Sequence, residues 1–263
     1  MNKVKTLLLA AGLGTRLRSL TYNWPKCLMP IGNRPLLEYW LETLYSTNVS
    51  EVLVNLHHHS EKVQEFLNRP RFQNWVSSVY EETLLGTAGT LIVNREYFQD
   101  CTTLLVHADN WCQCVFADFL NYHRKRRPEH CSITMMTFES LTPETCGIVE
   151  IDTNGVVLAF HEKSKNPPGN LANGAVYFLE PEVLKWIEEN PDISDFSTEV
   201  LPHFIGRIAT WNNSRIHKDI GSPPMLKLAQ LDPQPISCWP ESDSWQKEFL
   251  SNPIHRQIKR NLV

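Results

Sequence analysis

What the chain has little of narrows it before any motif does. No stretch approaches the ~20 consecutive apolar residues that a membrane-spanning helix needs, so no membrane partner is expected. There is no excess of positive charge: 25 Lys and Arg stand against 29 Asp and Glu, a net charge of −4. A general nucleic-acid binder needs a basic surface, so none is expected. The seven cysteines are odd in number and irregularly placed, and Cys112 and Cys114, one residue apart, do not match the spacing of zinc-ribbon pairs. Buried thiols in a reducing, cytoplasmic setting are expected, not a disulfide framework. Nor is a secretory leader expected: the apolar part of "TLLLAAG" after Lys3 and Lys5 is short, and "GTRLR" follows at once. No linker rich in Gly, Ser or Pro and no internal repeat interrupts the chain. With 42% hydrophobic residues it can bury a sizeable core. One domain is expected over 1–230, followed by a tail, 231–263, to which the sequence assigns no role.

What is present is an alternation of periods. The segments 4–10, 51–56, 75–80, 101–109 and 131–138 read as strands. Between them Leu36, Leu37, Trp40, Leu41 and Leu44 recur at helical spacing, with Pro35 suited to a first turn. Ser60 can cap a helix over 61–67, and further helices are expected from about Thr87 to Asn94 and from Phe116 into the basic run 123–130, whose cations read as a solvated face. That order predicts an α/β fold with a three-layer, doubly wound, mostly parallel sheet. After Phe138 the pattern changes. Residues 147–163 read as two strands joined through Asp152-Thr153-Asn154-Gly155, 171–179 as another, Pro181 opens a helix, and Asp195 or Ser197 caps one ending at Gly206. A smaller antiparallel subregion is therefore expected.

The most informative stretch is the first. The apolar run ends in Ala10-Ala11-Gly12-Leu13-Gly14-Thr15, and Arg16, Arg18 and Lys26 follow within eleven positions. In a parallel α/β sheet ligands sit at the carboxyl ends of the strands. Small residues there let backbone amides approach an anion. A P-loop pattern is absent, and Leu17 stands where a dinucleotide fingerprint needs its third glycine. The residues Gly12, Gly14, Thr15, Arg16, Leu17, Arg18, Leu20, Thr21, Pro25 and Lys26 resemble the nucleoside triphosphate signature of the sugar-1-phosphate nucleotidyltransferases. Further likenesses follow in chain order: "EETLLGTAGTL" (81–91) to a second glycine loop, "VHADN" (106–110) to a metal-binding Asp, "HEK" (161–163) to a Glu-Lys pair, "NGAVYFL" (173–179) to an Asn-x-Gly strand, and "KDIGSP" (218–223) to a second Asp.

The resemblance implies a Rossmann-like, glycosyltransferase-A-like fold whose antiparallel part binds sugar. It implies Mg²⁺ held by Asp109 and Asp219, a hard cation that favours carboxylate and phosphate oxygens. Arg16 and Lys26 would join them as catalytic groups on the triphosphate. Ala10, Ala11, Gly12, Leu13, Gly14 and Thr15 would bind the nucleotide's phosphates, and Leu85, Gly86, Thr87 and Ala88 its base and ribose. Lys163 would bind the sugar's phosphate, Glu162 and Asn173 its hydroxyls, and Gly147 belongs to the same subsite. The implied partners are two small molecules, a nucleoside triphosphate and a sugar 1-phosphate. "LLGTAGTL" most resembles guanylyltransferases acting on mannose or heptose phosphates, enzymes of nucleotide-sugar supply for cell-surface polysaccharide. A uridylyl- or thymidylyltransferase, or a catalytically silent regulator that binds nucleotide sugars, is the alternative. A homo-oligomer is left open. Ala11 takes the place of a glycine common in relatives, and His107 and Ala108 precede Asp109 where many have Gly or Ser. The run His57-His58-His59 invites a metal, but neighbours in an extended segment point to opposite faces, so ordinary loop or pocket-lining roles are expected.

Overall fold

The computed structural model describes residues 3–47, 49, 51–239 and 242–261. The fold is α/β, and the chain divides into two compact units built from separated segments. The first comprises Met1–Leu7, Leu85–Val106 and Gln113–His217, the second Leu8–Leu84, His107–Cys112 and Lys218–Val263. The tail from Leu231 onward thus falls in the same unit as residues 8–84. Among the described residues no helix is long and apolar enough to cross a membrane.

The first unit is organised around Leu171–Leu179, a strand in which every residue is buried or half-buried. It runs antiparallel to Thr102–His107 and to Ile133–Glu139, and through Ala172 to Gly147–Ile151. Ile208–Asn212 joins Ile133–Glu139 in parallel. Gly147–Ile151 and Val157–Glu162 form the expected hairpin. Asp152 Oδ1 accepts the amides of Asn154 and Val156, each at 2.8 Å, and Gly155 takes the left-handed φ of 76° that the turn needs. Asp195, not Ser197, is the cap: its Oδ1 accepts the amide of Thr198 at 2.8 Å. The helix Phe116–Lys125 packs Phe119 on Phe178. The basic run at its end is only partly a solvated face. His123 is buried, stacked on Phe178, with its ring nitrogens 2.8 Å from Thr134 Oγ1 and 2.9 Å from Glu180 Oε1. Burial pushes its pKa down, against the pull of Glu180.

In the second unit Glu51–Leu56 pairs in parallel with Val76–Tyr80 and lies next to Val4–Leu9, whose last two residues belong to this unit. The helix Leu36–Ser46 buries Leu36, Leu37, Trp40, Leu41 and Leu44, as their spacing requires. Pro35 sits just before it in extended conformation. Ser60 is not a cap but the first residue of the helix Ser60–Leu67. His59 precedes it in the left-handed region, so the chain turns one residue earlier than expected.

The tail carries two helices, Ser244–Ser251 and Pro253–Asn261. Asp243 caps the former through the Gln246 amide at 2.9 Å. Its other oxygen takes Arg69 Nε at 2.7 Å and Arg71 Nη2 at 3.2 Å. Arg69 also pairs with Glu38, and both are buried. Trp239 and Trp245 lie edge-on against Phe72 and Phe66. The tail is therefore held by aromatic packing and by one buried arginine shared between two carboxylates.

Removing one member of a buried ion pair leaves its partner charged and unsolvated, which costs about 3–5 kcal/mol. Arg69→Met should lower unfolding stability by about that amount, read as the shift of the urea midpoint at constant slope. A shift below the resolution of the measurement would mean that the arginine is not what holds the tail.

Candidate functional site

Strand Val4–Leu9 leads into the glycine turn, and the turn is fixed by side chains behind it. The amide of Ala10 donates to Asn55 Oδ1 at 2.7 Å, and Asn55 Nδ2 donates to Glu81 Oε1 at 3.0 Å; both Asn55 and Glu81 are buried. Gly14 has a φ of 62°, and a Cβ there would meet Thr21 Cγ2 at 2.8 Å, so a side chain is excluded twice over. Its carbonyl accepts the Leu17 amide at 2.9 Å and the Thr21 hydroxyl at 2.8 Å, closing the turn into the short helical run Thr15–Leu17. Gly12 faces open space, and Gly12, Leu13, Thr15 and Arg16 are exposed.

Lys26 follows Pro25 at the start of another short turn and is only 6% exposed. Its Nζ lies 2.6 Å from Asp109 Oδ2 and 3.0 Å from Asp219 Oδ1. Arg16 Nη2 lies 2.9 Å from Asp219 Oδ2. All four sequence-predicted charged groups thus meet within the second unit, although Asp109 and Asp219 are far apart in sequence. Asp109 stands in the turn between Thr102–His107 and Asn110–Gln113, and the latter strand pairs with Ile216–Asp219, which ends at the second carboxylate. The amide of Ala108 donates to the Leu9 carbonyl at 3.1 Å, tying that turn to the end of the first strand. Gly221 lets Arg16 and Asp219 come close: its amide donates to Asp219 Oδ1 at 2.8 Å, and a Cβ on it would meet Arg16 Nη2 at 2.5 Å.

Burial alone would push the Lys26 ammonium pKa down, but Asp109 and Asp219 outweigh it and the net direction is up. For Asp219 burial pushes up, and Lys26 with Arg16 outweighs it, so the carboxyl is held below its usual range. Lys26 and Asp219 thus each favour the charged form of the other. Two carboxylates converging on one small positive centre offer the oxygen donors that a hard divalent cation takes.

The remaining predicted residues belong to the first unit. Gly147 faces Glu162 across the hairpin, and a Cβ on it would meet Glu162 Oε2 at 2.7 Å. Lys163 adopts a φ of 46°, is exposed, and its Nζ lies 2.9 Å from Glu162 Oε1. Asn173 Nδ2 donates to the hydroxyl of buried Tyr177 at 2.6 Å, and its Oδ1 accepts the Ala175 amide at 2.9 Å. Leu85 precedes the helix Gly86–Val93, in which Gly86 has a φ of 80°. The amide of Ala88 donates to the Ser194 carbonyl, and the Thr87 hydroxyl accepts the Phe196 amide at 2.6 Å.

Sequence reasoning missed the buried pair Asn55 and Glu81. A lone Asn in the apolar strand "EVLVNL" was the available signal. The histidine run resolves into carbonyl contacts: His57 Nδ1 to Glu81, and the Nε2 atoms of both His58 and His59 to Thr21. Two neighbours reach the same carbonyl because His59 has left the extended conformation.

The family model described as Nucleotidyl transferase matches residues 5–232. A Sulfolobus acidocaldarius protein provisionally named mannose-1-phosphate guanyltransferase is 30% identical over 199 residues, which is 75% of this chain and 54% of that protein. A Dictyostelium discoideum protein named mannose-1-phosphate guanylyltransferase catalytic subunit beta is 30% identical over 203 residues, 76% of this chain and 55% of its own. The chain thus spans about half the length of these curated relatives. Among solved structures, one from Bacillus anthracis, provisionally named a glucose-1-phosphate thymidylyltransferase and described in complex with a sucrose, superposes with a TM-score of 0.78 at 18% identity. The superposition covers 93% of this chain and 99% of that one. At that identity the likeness speaks for the fold alone.

The ion cluster has a pH signature. The stabilisation from Asp219 is present above the ordinary value of 3.8 and is lost as pH falls through its lowered value; that from Lys26 is present below 10.5 and is lost as pH rises past its raised one. In a chelator-containing buffer, urea midpoints of the wild-type chain should fall more steeply on acidification below about pH 4 than those of Asp219→Asn. Equal slopes would show that the carboxylate is not held by the cations.

Proposed function

Because the chain belongs to the nucleotidyl transferase family, we propose that it transfers a nucleoside monophosphate to a sugar 1-phosphate, with GTP as donor and a mannose- or heptose-type phosphate as acceptor. The observation that carries this reading is the junction of Lys26, Arg16, Asp109 and Asp219 beside the glycine turn. In such a reaction an oxygen of the sugar phosphate attacks the α-phosphorus, a new P–O bond forms, the bond to the β-phosphate bridge breaks, and pyrophosphate leaves. Two polyanions must meet, so the task is charge neutralisation and in-line positioning more than proton transfer.

Asp109 and Asp219 are the residues that would hold Mg²⁺. The fit rests on the donor set: both are carboxylates open to solvent on one side, and the Lys26 ammonium already bridges them as a small cation would. When bound there, a divalent ion supplies charge neutralisation at the phosphates. Lys26, brought in by the turn after Pro25, holds a cation next to the same oxygens, and Arg16 adds a second from the glycine turn. The backbone of Ala10 to Thr15, kept in place by Asn55, binds the phosphate chain. From the first unit the reading takes Leu85 to Ala88 for the base and ribose, Lys163 for the sugar's phosphate, and Gly147, Glu162 and Asn173 for its hydroxyl subsite. The leaning to guanine and mannose rests on the likeness of "LLGTAGTL" and is supported by the names of the relatives. Free thiols at Cys27, Cys101 and Cys131 suit a reducing compartment.

Pyrophosphate release, followed with each of the four common nucleoside triphosphates, Mg²⁺ and a panel of sugar 1-phosphates, should be fastest with GTP and mannose 1-phosphate or a heptose analogue. Asp109→Ala and Lys26→Ala should each lose on the order of 10²-fold or more in turnover. No release with any pairing would overturn the reading in favour of a silent regulator.

A further inference from the structure

The two acidic residues owe their convergence to a pair of short strands, and one residue behind that pair grips both. Asp232, the residue that ends the helix Pro223–Leu231, has a side chain only 15% exposed. Its Oδ2 accepts the indole N–H of Trp111 at 2.8 Å. The Lys218 ammonium donates to Oδ1 at 2.6 Å and to Oδ2 at 2.5 Å. Trp111 is the second residue after Asp109, and Lys218 immediately precedes Asp219. Successive side chains of an extended strand point to opposite faces. The Lys218–Asp232 contact on one face therefore decides where Asp219 projects on the other. Trp111 is fully buried, edge-on to Tyr39 at 4.7 Å, and the Trp40 indole donates to the Asn110 carbonyl at 2.8 Å. The strand that follows Asp109 is thus anchored at consecutive residues, and Asp232 is the point at which that anchorage is joined to the strand carrying Asp219.

We infer that Asp232 is a positioning residue: by holding Trp111 and Lys218 with one carboxylate, it sets the separation of Asp109 and Asp219 and hence the affinity of that pair for a divalent cation. This rests on the reading above, that the pair takes a metal ion. Outer partners of metal ligands characteristically govern affinity by about 10- to 100-fold.

The test uses the full chain stripped with a chelator and titrated with Mn²⁺ alone, the free ion being followed by electron paramagnetic resonance. Asp232→Asn should weaken Mn²⁺ binding by about 10-fold or more. It should also lower turnover at limiting Mn²⁺, recover that turnover at high Mn²⁺, and leave the KM for the sugar phosphate within about twofold of wild type, a pattern that mere loss of stability does not give. If Asp232→Asn does not fold, Trp111→Phe, which keeps a ring but removes the donor, carries the same expectation with a smaller loss. Folded variants that bind Mn²⁺ as wild type does would overturn this inference alone. Undiminished binding by Asp109→Ala would instead overturn the assignment of the metal ligands.

Discussion

Everything at the site depends on one ammonium group touching two carboxylates. Alone, the Lys26 ammonium would be costly to bury, and two carboxylates that converge on one point would repel each other. Together the three charges remove both problems. The arrangement is also directional, because the lysine is nearly covered while each carboxylate keeps a side toward solvent. A phosphate chain arriving from that side meets groups that are already oriented, so little reorganisation is left for the moment of reaction.

Around this junction the backbone is constrained from several directions at once. Gly14 provides the left-handed turn, Gly221 the room for Arg16 beside Asp219, and Asn55 the anchor for Ala10. Gly14 also lies against the Lys26 side chain, where a Cβ would come within 3.3 Å of Lys26 Cβ.

The period of the apolar residues was legible almost throughout. The strand Val4–Leu9, the helix Leu36–Ser46 and the hairpin around Asp152 all lie where alternation, helical spacing or turn chemistry puts them. The four charged site residues were legible because small residues and cations crowd together after the first strand, and because resemblance supplied the two distant aspartates. What could not be read was anything set by a partner far along the chain. Asp243 and Asp232 look like ordinary surface acids in sequence; only folding brings Arg69 to the one and Trp111 with Lys218 to the other. His123 was read as part of a basic face because its partners, buried Thr134 and half-buried Glu180, come from other elements. Local boundaries failed for a local reason at His59, whose left-handed backbone moves the helix start by one residue.

The second unit is assembled from residues 8–84, 107–112 and 218–263, and this has a consequence for synthesis. A ribosome-bound chain that has not yet extruded residues beyond 217 holds the glycine turn and Lys26 but neither Asp219 nor the aromatic clamp of the tail. Such a nascent chain cannot close the half that carries the ion cluster. Contacts this distant along the chain are slow to form and leave apolar surface uncovered in the meantime. The part of the fold that carries the ion cluster thus stays open, with apolar surface uncovered, until residues 218–263 have been made.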